Sequence, residues 1–437
     1  MNRAQERGLV LLGAALLLLG VTFGGSAAVS TTAEVRSDNA SETLVGIQGG
    51  GVGLHEDGRV AMFDESGTRT WAIQNADSYF DVTQQDDGTI LAGFMHSGYE
   101  NCGPYDAPCS RTGFRVLDPD ADDPVVFEYT YPVRTKKNSE THDVEKLPNG
   151  RYLVSGMDEE RIFVVDANGT VTWQWNAADY YESPPDPTKT DWLHLNDVDR
   201  IGDGRYLVSI RNANQLVVVE RGEGVVEVIN EDDDATEESE CTMGGRLNDA
   251  NGDGDVNCGD PDVMDEQHNP QWLSEDAVLV ADSGNDRVVE LHRNATTGEW
   301  EVAWAISEAN GVEFAWPRDA DRLPNGNTLI TDSANARVVE VTQDGETVWS
   351  ASMANNHFPY EAERLPDGET VGGPVYENGT VQTETTDRVP GLTPALAMLR
   401  TSMPLPVWLS ELHLGVGLVS LGLSVAGIRS LLLGRGP

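Results

Sequence analysis

An all-β fold, a six-bladed β-propeller flanked by N- and C-terminal transmembrane helices, is what this 437-residue sequence predicts. Three observations carry that reading. A unit of four short apolar stretches recurs along the middle of the chain. Its copies are punctuated by Asn-Gly and Asp-Gly pairs, the residue choice of tight hairpin turns. Each end of the chain carries a run of apolar residues about the length needed to cross a bilayer.

The N-terminal run, Leu9 to Val29, is uncharged and follows Arg3 and Arg7. Residues 1–30 are therefore a transmembrane helix or signal anchor; the small residues Gly25, Ser26, Ala27 and Ala28 keep signal-peptide cleavage open. The C-terminal run occupies residues 405–433, with Trp408, Glu411 and His413 in the interfacial layer and Arg429 and Arg435 at the far end. Basic residues at both outer ends place both termini in the cytoplasm and the domain between them on the extracellular side of the cell membrane. A cleaved signal peptide with a C-terminal anchor gives the same placement of that domain.

The repeat reads His142-Asp143-Val144-Glu145-Lys146-Leu147-Pro148-Asn149-Gly150-Arg151-Tyr152-Leu153-Val154. It returns from Asn196, from His268 and from Arg318, and in weaker form from Phe80 and Tyr360. From His142 onward the starts lie 42 to 72 residues apart, the spacing of propeller blades with loop insertions. After Leu-Val come a second stretch such as Arg337-Val338-Val339-Glu340-Val341, a turn, and a Trp-bearing strand such as Glu346-Thr347-Val348-Trp349. Six starts predict six blades over residues 45–380. The last copy supplies two clear strands, to about Val375. Residues 45–75 are expected to supply the other two and so close the ring, removing free sheet edges. Residues 381–404 are a linker, and residues 231–266 an insert between blades three and four.

The turn glycine fixes what faces the central channel. Eight residues before Gly88, Gly150, Gly204, Gly326 and Gly368 stand Phe80, His142, Asn196, Arg318 and Tyr360; Leu279 aligns with Leu153 and puts His268 in the same register. These six residues should gather at one mouth of the channel, with His194 and His357 close by. Two imidazoles, a guanidinium, an amide and a phenol suit a small oxyanion: Arg318 would clamp two oxygens, and the histidines would move protons or attack. The acid that follows each ring residue (Asp81, Asp143, Asp197, Asp319, Glu361; Asn269 in blade four) reads as structural, capping backbone donors around the ring.

Composition bounds the partners. There are 73 Asp and Glu against 29 Lys and Arg, a formal charge of −44, and Lys occurs only at positions 136, 137, 146 and 189. Such a field repels phosphate, so nucleic acid is excluded as a non-specific partner. An acidic, lysine-poor chain that still carries ten Trp fits a halophilic protein, in which salt screens self-repulsion. Cys102 with Cys109, and Cys241 with Cys258, form two close pairs in loop-like segments and predict two local disulfides of an exported domain. Asn-X-Thr sequons at Asn168, Asn294 and Asn378 are compatible with that placement. Within the insert, Asp249, Asn251, Asp253 and Asp255 with Gly254, followed by Asp260, match the front half of a calcium loop and predict a structural calcium ion. No cofactor is expected for catalysis.

The His-Asp-x-x-x-Leu-Pro-Asn-Gly-x-x-Leu-Val unit, the Trp-rich outer strands and the His/Arg ring resemble the arylsulfotransferase family that works without a nucleotide sulfate donor, in its membrane-anchored haloarchaeal form. The resemblance spans residues 45–380. It implies a six-bladed propeller that moves sulfuryl groups from an aryl sulfate to a phenol through a sulfohistidine. On this chain it implies catalytic roles for His268, His142, His194 and Arg318, with His268 the first choice of nucleophile and His142 the second. Asn196, Tyr360, His357 and Phe80 would then bind substrate. The competing expectation is a non-catalytic extracellular propeller whose ring binds an anion, a glycan or a protein.

Overall fold

The computed structural model describes residues 3–29, 41–50, 54–231, 247, 256–353, 357–368, 370–376, 392, 396, 399 and 409–433. The chain divides into two compact units: Glu34–Thr385, and Met1–Ala33 together with Thr386–Pro437.

The larger unit is a ring of six four-stranded antiparallel sheets. Blade one is Ser78–Gln84, Ile90–Tyr99, Cys109–Leu117 and Val125–Val133. Blade two is Val144–Lys146, Tyr152–Gly156, Arg161–Val165 and Val171–Asn176. Blade three is Leu195–Gly202, Arg205–Ile210, Gln215–Glu220 and Gly224–Ile229. Blade four is His268–Ser274, Ala277–Asp282, Arg287–Arg293 and Trp300–Ile306. Blade five is Pro317–Arg322, Thr328–Asp332, Arg337–Val341 and Thr347–Ser352. In blade six the inner strand is Phe358–Arg364, and Thr43–Gly49, Gly58–Phe63 and Arg69–Ala76 complete the sheet.

The ring therefore closes with three N-terminal strands and one C-terminal strand, not the expected two and two. Thr43–Gly49 is an unbroken buried strand that pairs with both Phe358–Arg364 and Gly58–Phe63. After Arg364 the chain leaves the sheet. Its polar backbone is satisfied elsewhere: the Thr370 carbonyl accepts from Gln271 Nε2 at 2.8 Å, and the Gly372 N–H donates to the Trp272 carbonyl at 2.7 Å.

Strand alternation builds the core between blades. Leu207 faces blade four and Val208 faces blade two, because successive side chains leave opposite faces of a sheet. Every blade-to-blade interface has its own buried apolar cluster. Each fully buried Leu or Val in them is worth about 1.5–3 kcal/mol. The outer Trp residues reach across these seams. Trp304 Nε1 donates to the Gln343 carbonyl at 3.0 Å, and Trp349 Nε1 to the Glu65 carbonyl at 3.2 Å.

Antiparallel pairing decides which face carries which loops. Inner strands start, second strands end, third strands start and fourth strands end on one face. The long connections, 50–57, 100–108, 134–143, 177–194, 230–267 and 307–316, all fall there. The opposite face has the tight turns, where Gly150 and Gly326 take φ of 76° and 85° that a side chain would resist.

Cys102 and Cys109 are bonded, with a Cα–Cα distance of 5.7 Å. Cys258 is disulfide-bonded as well; its expected partner, Cys241, lies outside the described residues.

The smaller unit contains two helices, α1 (Arg3–Val29) and α2 (Glu411–Leu433), both long and apolar enough to cross a membrane. They pack closely: a Cβ on Gly8 would lie 2.8 Å from the Gly427 carbonyl oxygen, so this crossing requires glycine.

Candidate functional site

All six residues at the repeat position come together. Phe80, His142, Asn196, His268, Arg318 and Tyr360 are each buried at the same end of the inner strands. Tyr360 is the hub. Its ring lies 5.0 Å from His142 (nearly parallel), 5.5 Å from Phe80, 6.0 Å from His268 and 5.3 Å from Arg318 Cζ. Phe80 meets His142 edge-on at 4.9 Å. Asn196 Nδ2 donates to the Gln267 carbonyl at 2.8 Å, beside His268. Gly46 lets blade six approach: a Cβ there would lie 1.8 Å from the Phe80 carbonyl oxygen. His357 is half-buried just ahead of the inner strand of blade six.

The repeated acids fasten this ring. Asp81 Oδ2 accepts the Val144 N–H at 3.1 Å, Asp143 Oδ2 the Val198 N–H at 2.7 Å, Asp319 Oδ2 the Ala362 N–H at 2.9 Å, and Glu361 Oε1 the Val82 N–H at 3.3 Å. Each bond runs from one blade to the inner strand of the next. Charge-assisted bonds of this kind are the stronger class.

Above the ring lies a second tier, made by the residues two positions earlier. His194, Glu266 and Trp316 occupy it in blades three, four and five, at φ of 55°, 46° and 51°. Each has its N–H held by the left-handed turn residue of the preceding blade: Glu160 Oε1 at 2.8 Å, Asn214 Oδ1 at 3.1 Å and Asp286 Oδ1 at 2.7 Å. Burial outweighs its three backbone N–H bonds and pushes Glu160 up to about 8.

Partners fix the histidine tautomers. His194 donates from Nδ1 to Asp191 at 2.6 Å and accepts at Nε2 from Arg211 Nη1 at 2.9 Å, so both nitrogens are engaged. Its ring stacks on His142 at 5.5 Å. His268 Nδ1 lies 2.8 Å from Ser283 Oγ and 3.0 Å from the Glu266 carbonyl. The one Ser283 proton goes to the Pro317 carbonyl at 2.5 Å, so His268 Nδ1 is the donor. The lone pair of His268 is thereby left on Nε2, which has no hydrogen bond to the described residues. Burial, reinforced by Arg318 and Arg211, holds His268 well below the ordinary imidazole range. Burial does the same to His142, against the pull of Glu140. Arg318 is lowered by burial to about 10 and stays cationic at neutral pH.

Two participants were missed by sequence reasoning. Arg211 links His194 to Glu266, with Nη2 3.4 Å from Glu266 Oε1. It stands where blades four and five have Ser283 and Ser333, and that departure from the repeat was its available signal. His55 lies on the 50–57 connection, with Nε2 3.0 Å from Glu140 Oε1 and Nδ1 2.8 Å from Ser78 Oγ. Burial would raise Glu140, but the hydrogen bond and charge of His55 take it down to about 2.

Of the expected calcium ligands, Asp249, Asn251, Asp253 and Asp255 lie outside the described residues. Asp260 accepts the Asp262 N–H on Oδ1 at 2.8 Å. Among the described residues no group of three or more His, Cys, Asp or Glu is placed to hold a metal ion.

A neutral imidazole with a free lone pair, near two guanidinium groups and inside a buried ring, can attack an electrophile bearing anionic oxygens. Comparison with known proteins bears on which electrophile. A family model described as Arylsulfotransferase (ASST) matches residues 39–301. No curated protein matches the chain. Similar solved structures include a protein of unknown function from Bacteroides caccae, at 13% identity and TM-score 0.49, covering 75% of this chain and 100% of that one. A periplasmic gluconolactonase from Pseudomonas aeruginosa has 14% identity and TM-score 0.43, with 75% and 100% covered. A virginiamycin B lyase from Staphylococcus aureus, in an inactive variant with quinupristin, has 11% identity and TM-score 0.37, with 79% and 92% covered.

Proposed function

The chain belongs to the arylsulfotransferase family, and from that premise we propose that it moves a sulfuryl group from an aryl sulfate to a phenol through a sulfated histidine. The observation that carries the reading is the state of His268: neutral, anchored through Nδ1, with the Nε2 lone pair free and Arg318 and Arg211 acting on it from blades five and three.

In the first half-reaction His268 Nε2 attacks the sulfur of the donor. The N–S bond forms as the bond from sulfur to the aryl oxygen breaks, and the phenolate leaves with the electron pair. Arg318 and Asn196 stabilise the sulfuryl oxygens, and Arg211 adds a second cation beside them. The departing phenolate takes its proton from solvent. In the second half-reaction neutral His142, in the same ring, takes the proton of the acceptor phenol, the phenol oxygen attacks sulfur, and the N–S bond breaks to return neutral His268; His142 then releases its proton to solvent. His194 has both nitrogens occupied, so its part is to hold Arg211 and to stack on His142.

Two helices of membrane-spanning length, with Arg3, Arg7 and Arg429 at their outer ends, support an anchored protein whose propeller faces outward. The acidic insert 231–266 is proposed to bind calcium as a structural element.

The test is turnover by the full chain of 4-nitrophenyl sulfate with phenol in high salt, with mass mapping of the peptide containing His268 after donor alone. Wild type should release nitrophenol and carry one sulfuryl group on His268, and His268→Ala should do neither. Binding of the ester without turnover by a folded wild type would instead make the ring an anion-binding site.

A further inference from the structure

We infer that Trp316 is the platform for the aryl group of the sulfate ester, and so the residue that makes this site prefer aryl over alkyl esters. The inference rests on the sulfotransferase reading for the reaction, but its own basis is geometric.

Trp316 is the blade-five counterpart of His194, two residues before a ring position. A bulky aromatic residue at φ 51° is a backbone outlier that its surroundings must impose. Here the imposing contact is visible: the Trp316 N–H is bound by Asp286 Oδ1 at 2.7 Å, and Asp286 is itself left-handed at φ 55°. The same pairing holds Glu266 in blade four and His194 in blade three, so the tier is a repeated device for fixing side chains at the mouth of the ring.

What differs is the side chain presented. In blade three the device presents an imidazole that stacks on His142. In blade five it presents an indole beside Arg318, whose Cζ lies 5.6 Å from the Trp316 ring and 5.3 Å from the Tyr360 ring. Trp316 is partly open, whereas Arg318 and Tyr360 beneath it are buried. A sulfate whose oxygens are held by Arg318 has its ester substituent directed toward the mouth, where the indole is the adjoining aromatic surface. A planar aryl group gains an offset-stacked contact there that a flexible alkyl chain does not.

The experiment uses the full chain with two donors of similar size, 4-nitrophenyl sulfate and hexyl sulfate, phenol as acceptor, and calorimetric binding of each ester in parallel. Trp316→Ala should raise KM and Kd for the aryl ester about tenfold, leave kcat within about threefold, and leave the alkyl ester unchanged. Unaltered handling of the alkyl ester also reports a folded site. Trp316→Phe, which keeps an aromatic face, should recover most of the aryl preference. Equal effects on both esters, or none on either, would overturn the platform. If wild type binds the aryl ester without transferring it, the sulfotransferase reading fails while the ratio of Kd values still decides for or against Trp316. If wild type binds neither ester, both are lost.

Discussion

Burial sets the chemistry of the two central imidazoles. Both His142 and His268 are held well below the ordinary imidazole value of about 6.5, chiefly by burial. A nucleophile must be neutral, and a depressed pKa keeps it neutral as pH falls through 6.5. The transfer rate at saturating donor should therefore be level from pH 8 down through 6.5 and drop only at clearly lower pH, as a stopped assay in mixed buffer would read. A midpoint at or above 6.5 would mean that the attacking group is not one of these histidines. The same shift has a cost in stability. The unfolded state takes up protons below about 6.5 that the native state refuses, so these residues favour unfolding progressively in acid. At this scale the sequence revealed the six ring residues because each sits at a fixed distance from a turn glycine. Arg211 and His55 were not legible in that way, since they reach the ring from connections whose position depends on the neighbouring blade.

At the scale of the strand, the acids that follow the ring residues of blades one, two, five and six join blades that share no sheet hydrogen bonds. Asp319 shows what one such joint is worth. Its Oδ2 accepts the Ala362 N–H at 2.9 Å and the Thr331 hydroxyl at 3.1 Å, both buried. Asp319→Ala removes the acceptor and leaves a backbone donor of blade six without a partner. The expected loss is about 2–3 kcal/mol, read as a lower midpoint in urea with an unchanged slope. A loss below about 0.5 kcal/mol would show that the carboxylate is dispensable. The acid was legible as a capping residue because it recurs in register. The division of blade six was not. Residues 43–49 follow none of the turn glycines that mark the second strands of blades one, two, three and five. The repeat assigns a second strand to residues 365–375, but Pro366, Pro374 and three glycines disfavour one, and Thr370 and Gly372 bond instead to Gln271 and Trp272 in blade four.

For the whole molecule, the seam in blade six is where the ring can open, because it is the one sheet built from both ends of the propeller segment. Every other blade is continuous in sequence and can form locally. Blade six must bring Thr43–Gly49 to Phe358–Arg364 across more than 300 residues of chain, an ordering cost that comes due before the packing of Val45, Ile47 and Ala362 repays it. Val45 and Ala362 are directly paired and fully buried. A covalent link between them would close the ring in the unfolded state as well. The doubly substituted chain, Val45→Cys with Ala362→Cys, should crosslink on mild oxidation and melt higher when oxidised than when reduced. Chain-entropy arguments allow a gain of up to about 5 kcal/mol for so long a loop. Peptide mapping under non-reducing conditions separates this link from the native disulfides of Cys102–Cys109 and Cys258, and the unsubstituted chain, melted oxidised and reduced, supplies their share of the shift. Failure of the new pair to form in a folded, oxidised chain would place these strands apart. It would also undo the closure that brings Tyr360 to the centre of the histidine and arginine ring.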